Sequence, residues 1–123
     1  MFDDYFKKIN DLTGDATKVF RKVAIKGATF FENMAKEKTT EERLVDTGNY
    51  RRNWVGEAIK VGEDNAILGS NGVEYASHLE FGHKLRNGGR WQGRFVGDRS
   101  LQETAYHCIT EFDKAWQRAL KKR

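Results

Sequence analysis

Three places in this chain of 123 residues hold side chains able to do chemistry. His78, Glu80 and His83 come first, since all three are metal-ligand types. Two histidines five apart on a helix point to different faces, however, and no fourth ligand stands nearby, so the spacing argues against a metal site. Cys108, the single cysteine, comes second. It falls in an apolar helical stripe, which makes it a buried inert thiol rather than a nucleophile and leaves no internal disulfide. The third place is the run from Lys84 to Arg99. Here Lys84, Arg86, Arg90, Arg94 and Arg99 alternate with Trp91 and Phe95, and Asp98 is the one acid. The surplus in this window equals the net charge of +4 on the whole chain, so everything outside it balances. Cations interleaved with rings suit phosphates and stacked bases. They suit equally a solvated flexible loop, or one that orders only against a partner. Nothing in the sequence resembles a Ser-His-Asp set, a catalytic carboxylate pair or a phosphate-cradling loop; Gly88-Gly89 lacks the Lys-Ser/Thr of a P-loop. The expectation is a protein that is not an enzyme and uses no metal or cofactor.

The elements that must position these residues follow from periodicity. The length suits one domain spanning 1–123 with a real core, and fifteen aromatics argue against disorder. No apolar run approaches the ~20 residues of a membrane span, and the N-terminus lacks signal-peptide character. A soluble protein of the cell interior is expected, and a pI near 9.2 permits nucleic acid or acidic partners. With no proline present, glycine and asparagine must mark the turns. Residues 2–37 read as helix, with one stripe of Phe2, Tyr5 or Phe6, Ile9 and Leu12 and another of Phe20, Val23, Gly27, Phe30 and Met34. Thr13-Gly14-Asp15 between them suggests a short helix followed by a long one. Gly27 and Ala28 leave room for another element to approach closely. The long stripe faces either its own core or a neighbouring subunit.

Thr39-x-x-Glu42 matches a capping box for a further turn of helix, and Thr47-Gly48 can open another through Tyr50. Strands are expected from Trp54 to Val61, with Val55, Ile59 and Val61 on one face, and from Ala66 to Ser70, around a turn at Glu63-Asp64-Asn65. Asn71-Gly72 is a turn, Val73–Glu80 a short helix with Tyr75 and Leu79 facing in, and Gly82 its end. After a mobile basic loop at about 84–97, Trp91–Val96 reads as a third strand returning to the hairpin. Ser100-x-x-Glu103 then caps a last helix along Leu101, Ala105, Cys108, Phe112 and Ala119. The fold class is α+β: a small antiparallel sheet, a hairpin plus one strand, packed against long terminal helices.

Two local patterns stand in order: Asp46-Thr47-Gly48-Asn49-Tyr50-Arg51-Arg52-Asn53-Trp54, and then Val73-Glu74-Tyr75-Ala76-Ser77-His78-Leu79-Glu80-Phe81-Gly82. Together they resemble the minor tail-component family of long-tailed phages and prophages, the tail-completion or head–tail joining proteins. That family shows Thr-Gly-x-Leu-Arg-x-Ser, a strand hairpin, Tyr-Ala-x-x-Val-Glu-Phe-Gly, a variable loop and a closing helix. Tyr50 stands where the family has Leu, Asn53 where it has Ser, and Gly93–Ser100 lacks the Pro-Phe-Leu-x-Pro-Ala stretch often found there. The resemblance implies a structural protein at the head–tail interface, made in the host cytoplasm and carried in the virion. Its implied partners are further copies in a ring, commonly of six, the head connector or stopper, the tail terminator or tube, and DNA in the lumen; no membrane is involved. In this reading the cluster of Tyr75, Leu79 and Phe81 fixes the short helix onto the sheet. Glu80 satisfies a nearby backbone or arginine group, or pairs across a subunit boundary. The loop, with Lys84, Arg86, Arg90, Trp91, Arg94 and Arg99, meets a neck protein or the DNA. The alternative is a small nucleic-acid-binding module using the same loop.

Overall fold

Helix α1 runs from Phe2 to Glu41 in the computed structural model, which describes residues 2–44 and 48–122, with the backbone alone at Phe2, Tyr5 and Ile9. It does not divide at Thr13-Gly14-Asp15. Gly14 lies in open space, and the Thr17 hydroxyl donates to the Thr13 carbonyl at 3.0 Å, so the helical pattern continues past it. One exposed glycine costs about 1 kcal/mol, too little to break a helix of this length. The apolar stripe expected through Phe2, Tyr5 and Ile9 lies outside the described side chains. Thr39 is not a cap but a member of the last turn, and its hydroxyl donates to the Ala35 carbonyl at 2.7 Å. The helix ends two residues later, at Glu41. Arg43 takes a φ of 57°, and its N–H reaches the Thr40 carbonyl while that of Leu44 reaches Thr39. This is a Schellman ending with arginine where glycine is usual, and Leu44 packs on the core beyond it.

Gly48, at φ 84°, turns the chain into the single-turn helix α2 (Asn49–Arg52), whose Tyr50 is buried. Thr47 lies outside the described residues. Strands β1 (Trp54–Val61) and β2 (Asp64–Asn71) form an antiparallel hairpin in which Val61 faces Asp64 and Trp54 faces Asn71. Its loop is Gly62-Glu63 rather than Glu63–Asn65, and the positive φ of Gly62 at the first loop position matches the twist of the strands. The paired Gly56 and Gly69 make a notch in the sheet. A Cβ on Gly56 would overlap the Ala28 carbonyl, and one on Gly69 would overlap the Phe31 ring. Trp54, Gly56, Ile67 and Gly69 therefore face α1, while Val55, Ile59 and Val61 share the opposite face, as expected, and that face is the outer one.

Asn71 ends β2 with an Asx turn: its Oδ1 accepts from the Val73 N–H at 3.1 Å, and its Nδ2 donates to the Tyr50 carbonyl at 2.7 Å. Helix α3 (Ala76–Phe81) follows, then strands β3 (Gly82–Lys84) and β4 (Arg90–Gln92), which pair with each other. The expected third strand thus exists but does not join the hairpin; the described residues hold two separate two-stranded sheets. Helix α4 (Val96–Lys121) begins four residues before Ser100, which is buried inside it. Glu103 bridges to Lys38 at 2.7 Å instead of capping.

The two long helices pack antiparallel. Phe20 stacks on Phe112 at 4.4 Å and Phe30 on His107 at 4.1 Å, and Gly27 admits Cys108 and Ile67 to close contact. The stripe of Phe20, Val23, Gly27 and Phe30 therefore serves α4. A second line on α1, Ala24, Ala28, Phe31 and Ala35, serves the sheet and was not evident from spacing. On α4 the buried line is Val96, Ser100 and Thr104, while Leu101 stays 41 % exposed. The core gathers Phe31, Ala35, Tyr50, Trp54 and Val96, with Leu44, Ile67, Ala76 and Leu79 around it. The expected α+β arrangement of long terminal helices and a small antiparallel hairpin is the fold of this chain.

Candidate docking site at the start of the last helix

Helix α4 has no capping side chain of its own, because its N-cap residue is Phe95, held at φ 50°. Four of its first backbone N–H groups need acceptors from elsewhere. Glu80, on the last turn of α3, supplies two of them. One carboxylate oxygen accepts from the Gly97 N–H at 2.7 Å and the other from Asp98 at 2.9 Å. A negative group on these two donors also meets the positive end of the helix dipole. Just upstream, the Arg94 N–H donates to the Leu79 carbonyl at 2.8 Å and the Phe95 N–H to that of Glu80 at 3.1 Å. Of the roles expected for Glu80, the one seen here is the backbone one: it serves N–H groups within its own chain.

Gly82 makes this geometry possible. Its φ of 85° ends α3, and a Cβ there would overlap the Trp91 carbonyl. Leu79 packs on the core as expected. Tyr75 and Phe81 do not join it. Tyr75 is 42 % exposed, its ring 6.3 Å from Tyr50, and Phe81 is 60 % exposed. Phe81 instead meets Phe95 edge-on at 6.0 Å, and Phe95 is itself 43 % exposed. The proposed cluster is thus a core leucine beside a pair of outward rings. One turn of helix cannot turn residues 75, 79 and 81 to the same side.

The basic run is folded into a hairpin around these rings. Arg90 donates to the Phe81 carbonyl at 3.0 Å. Arg99 and Arg94 both reach the Glu42 carboxylate, at 3.0 and 3.9 Å, and Arg99 also donates to the Arg94 carbonyl. Arg94 further lies over the Trp91 ring, 5.3 Å from its centre. Lys84 and Arg86 are exposed and make no ion pair among the described residues. His78 and His83 do come together, stacked at 5.2 Å, because the turn at Gly82 swings His83 back, and Trp91 continues the stack at 5.7 Å. No group of three potential metal ligands forms among the described residues.

On the inner side, Tyr50 and Trp54 anchor the site. The Trp54 indole N–H donates to the Thr39 hydroxyl at 2.9 Å in a fully buried contact. The Tyr50 hydroxyl is buried without a hydrogen-bond partner among the described residues. Burial, and then the nearby Glu80 charge, push its pKa far above the ordinary phenol value. Burial likewise raises that of Cys108, in keeping with an inert thiol. The family resemblance singles out Glu80-Phe81-Gly82, whereas Glu42 reads from the sequence as a local cap, Phe95 as a ring among cations, and Lys38 carries no signal. Their partners Arg99, Phe81 and Glu103 lie far along the chain.

No helix among the described residues is long and apolar enough to cross a membrane. No curated protein and no solved structure matches this chain. Residues 2–82 match the family model described as "Bacteriophage HK97-gp10, putative tail-component", a span that takes in α1, α2, the β1–β2 hairpin and α3 and stops at Gly82, the residue that turns the chain toward α4. With about two thirds of its length so matched, the chain belongs to the HK97-gp10-like family of phage tail components.

Proposed function

We propose that this tail component completes the tail and joins it to the head connector, as one subunit of a ring around the DNA path. It docks on a neighbouring neck or tail protein through the β3–β4 hairpin and the Phe81–Phe95 pair. The observation that carries this reading is the state of the basic run. Arg94 and Arg99 share Glu42, Arg90 holds a backbone carbonyl, and Trp91 is already stacked on His83 and covered by Arg94. What faces outward is a pair of aromatic rings with a cationic border, the composition of a protein-interface anchor rather than of an open base-stacking platform.

The test is co-sedimentation of the purified protein with tails and with DNA-filled heads from a phage lacking it, with naked DNA as control. Saturable attachment to either particle with restored infectivity supports the joining role. Phe81→Ser, or Arg86, Arg90 and Arg94 neutralised together, is expected to abolish attachment while the chain stays folded. Steeply salt-dependent binding to naked DNA alone would identify a nucleic-acid-binding module instead.

A further inference from the structure

Two surfaces far from the basic hairpin are unpartnered within the chain, and they complement each other. One is the outer face of the β1–β2 sheet. Val55, Val61 and Leu68 are 46 %, 61 % and 49 % exposed there, Ile59 lies among them, and the charges that alternation places on this face are Glu57 and Asp64. It is an apolar face bearing two carboxylates and no cation.

The other is a groove of about 430 Å³ between the N-terminal half of α1 and the C-terminal half of α4. Val19, Val23, Ala115 and Ala119 form its floor. Lys18, Lys22 and Lys26 line one rim and Arg118 and Lys122 the other, against Asp15 and Glu111. Lys22, Lys26 and Lys122 make no ion pair among the described residues. At 100° per residue, the three lysines of α1 lie roughly 150° around the helix from Ala24, Ala28, Phe31 and Ala35, which carry the sheet. The acidic apolar face and the basic apolar groove are therefore on opposite sides of one molecule.

We infer that the sheet face of one copy seats in the α1–α4 groove of the next, a head-to-tail contact that repeats from copy to copy. Opposed, unlike surfaces generate a ring when the rotation closes, whereas a two-fold pair would need one self-complementary patch. Charge selects the partner: two sheet faces repel, two grooves repel, and only the mixed pairing brings opposite signs together over apolar surface. The inference rests on the reading of the chain as a repeated subunit and specifies which surfaces repeat.

Sedimentation velocity of the full chain, from about 10 µM to about 1 mM at about 50 mM salt, tests it, together with charge reversals. Lys22→Glu with Lys26→Glu, or Glu57→Lys with Asp64→Lys, is expected to weaken association about tenfold, and the four together to restore it. Should a reversed variant fail to fold, Leu68→Cys with Ala119→Cys in a Cys108→Ser chain gives a second readout. Oxidation is expected to yield a ladder of linked copies, absent from either single cysteine. A chain still monomeric at about 1 mM overturns the inference. So do reversals without effect, a fourfold variant that stays dissociated, or a missing ladder. In all those cases, wild-type attachment to tails or heads leaves the neck reading standing. Loss of that attachment, with self-association intact, removes the neck reading and keeps this contact.

Discussion

A single hydroxyl links the end of α1 to the base of the hairpin. Thr39 donates to Ala35 and accepts from Trp54, so both its hydrogen and its lone pairs are used away from water. Thr39→Val keeps the shape and leaves the indole N–H unpaired; urea denaturation is expected to show a loss of about 1–3 kcal/mol, most of it recovered by Thr39→Ser. Tyr50 presents the opposite case, a buried hydroxyl with no partner among the described residues. Tyr50→Phe is expected to be neutral or slightly stabilising at neutral pH, because nothing paired is removed. The pH dependence has a definite sign. Folding raises the Tyr50 pKa above its unfolded value of 10.0, so its contribution is complete below about pH 10 and is lost as pH rises further. Stability of the wild type should then fall by up to about 1.4 kcal/mol per pH unit more steeply than that of Tyr50→Phe. Parallel curves for the two proteins above pH 10 would show that the phenol does not ionise on unfolding.

Between elements, the decisive contact is the Glu80 carboxylate on α4. Glu80→Gln retains one acceptor oxygen but loses the charge and places an amide against the second N–H. A loss of about 1–2 kcal/mol is expected, with hydrogen exchange quickened at Gly97 and Asp98 rather than throughout the helix. Uniformly faster exchange along α4 would mean that the carboxylate holds the whole helix in place. This contact also shows why the chain was only partly legible from its sequence. Both long helices, the hairpin and the stop at Gly82 follow from local periodicity and turn residues, which act over a few positions. The true start of α4 depends on a side chain 17 residues upstream, so Ser100-x-x-Glu103 offered a local cap that the tertiary contact made unnecessary. The Gly14 break failed for a related reason: a propensity penalty of about 1 kcal/mol is small beside a helix held elsewhere by packing. At the site itself, the run Lys84–Arg99 drew notice through its charge, yet Glu42 and the Phe81 carbonyl engage three of its arginines. What spacing missed was the outward pair of Phe81 and Phe95, since exposure is decided by the neighbours and not by the residue.

Across the whole molecule the packing is uneven. The core lies where the C-terminal half of α1 meets α2, the hairpin, α3 and the start of α4. Near the other end of α1, Asp15 and Lys18 line an open groove with Ala119 of α4 and Lys122. Native-state hydrogen exchange should therefore grade along one continuous helix, with amides near Phe31 protected at least about 100-fold more than those before Thr13. Equal protection from end to end would mean that the N-terminal turns are held as firmly as those beside the core. The backbone bonds from Arg94 to Leu79 and from Phe95 to Glu80 have a further consequence. They close the chain on itself, so the excursion through β3 and β4 departs and returns at nearly the same point. Residues added or removed between Lys84 and Arg90 need not move either long helix. The scaffold is insulated from that segment, as a handle is from the tool fitted to it, and the segment is free to change in length and character with the surface it must meet. The family likeness ends at Gly82, where that freedom begins.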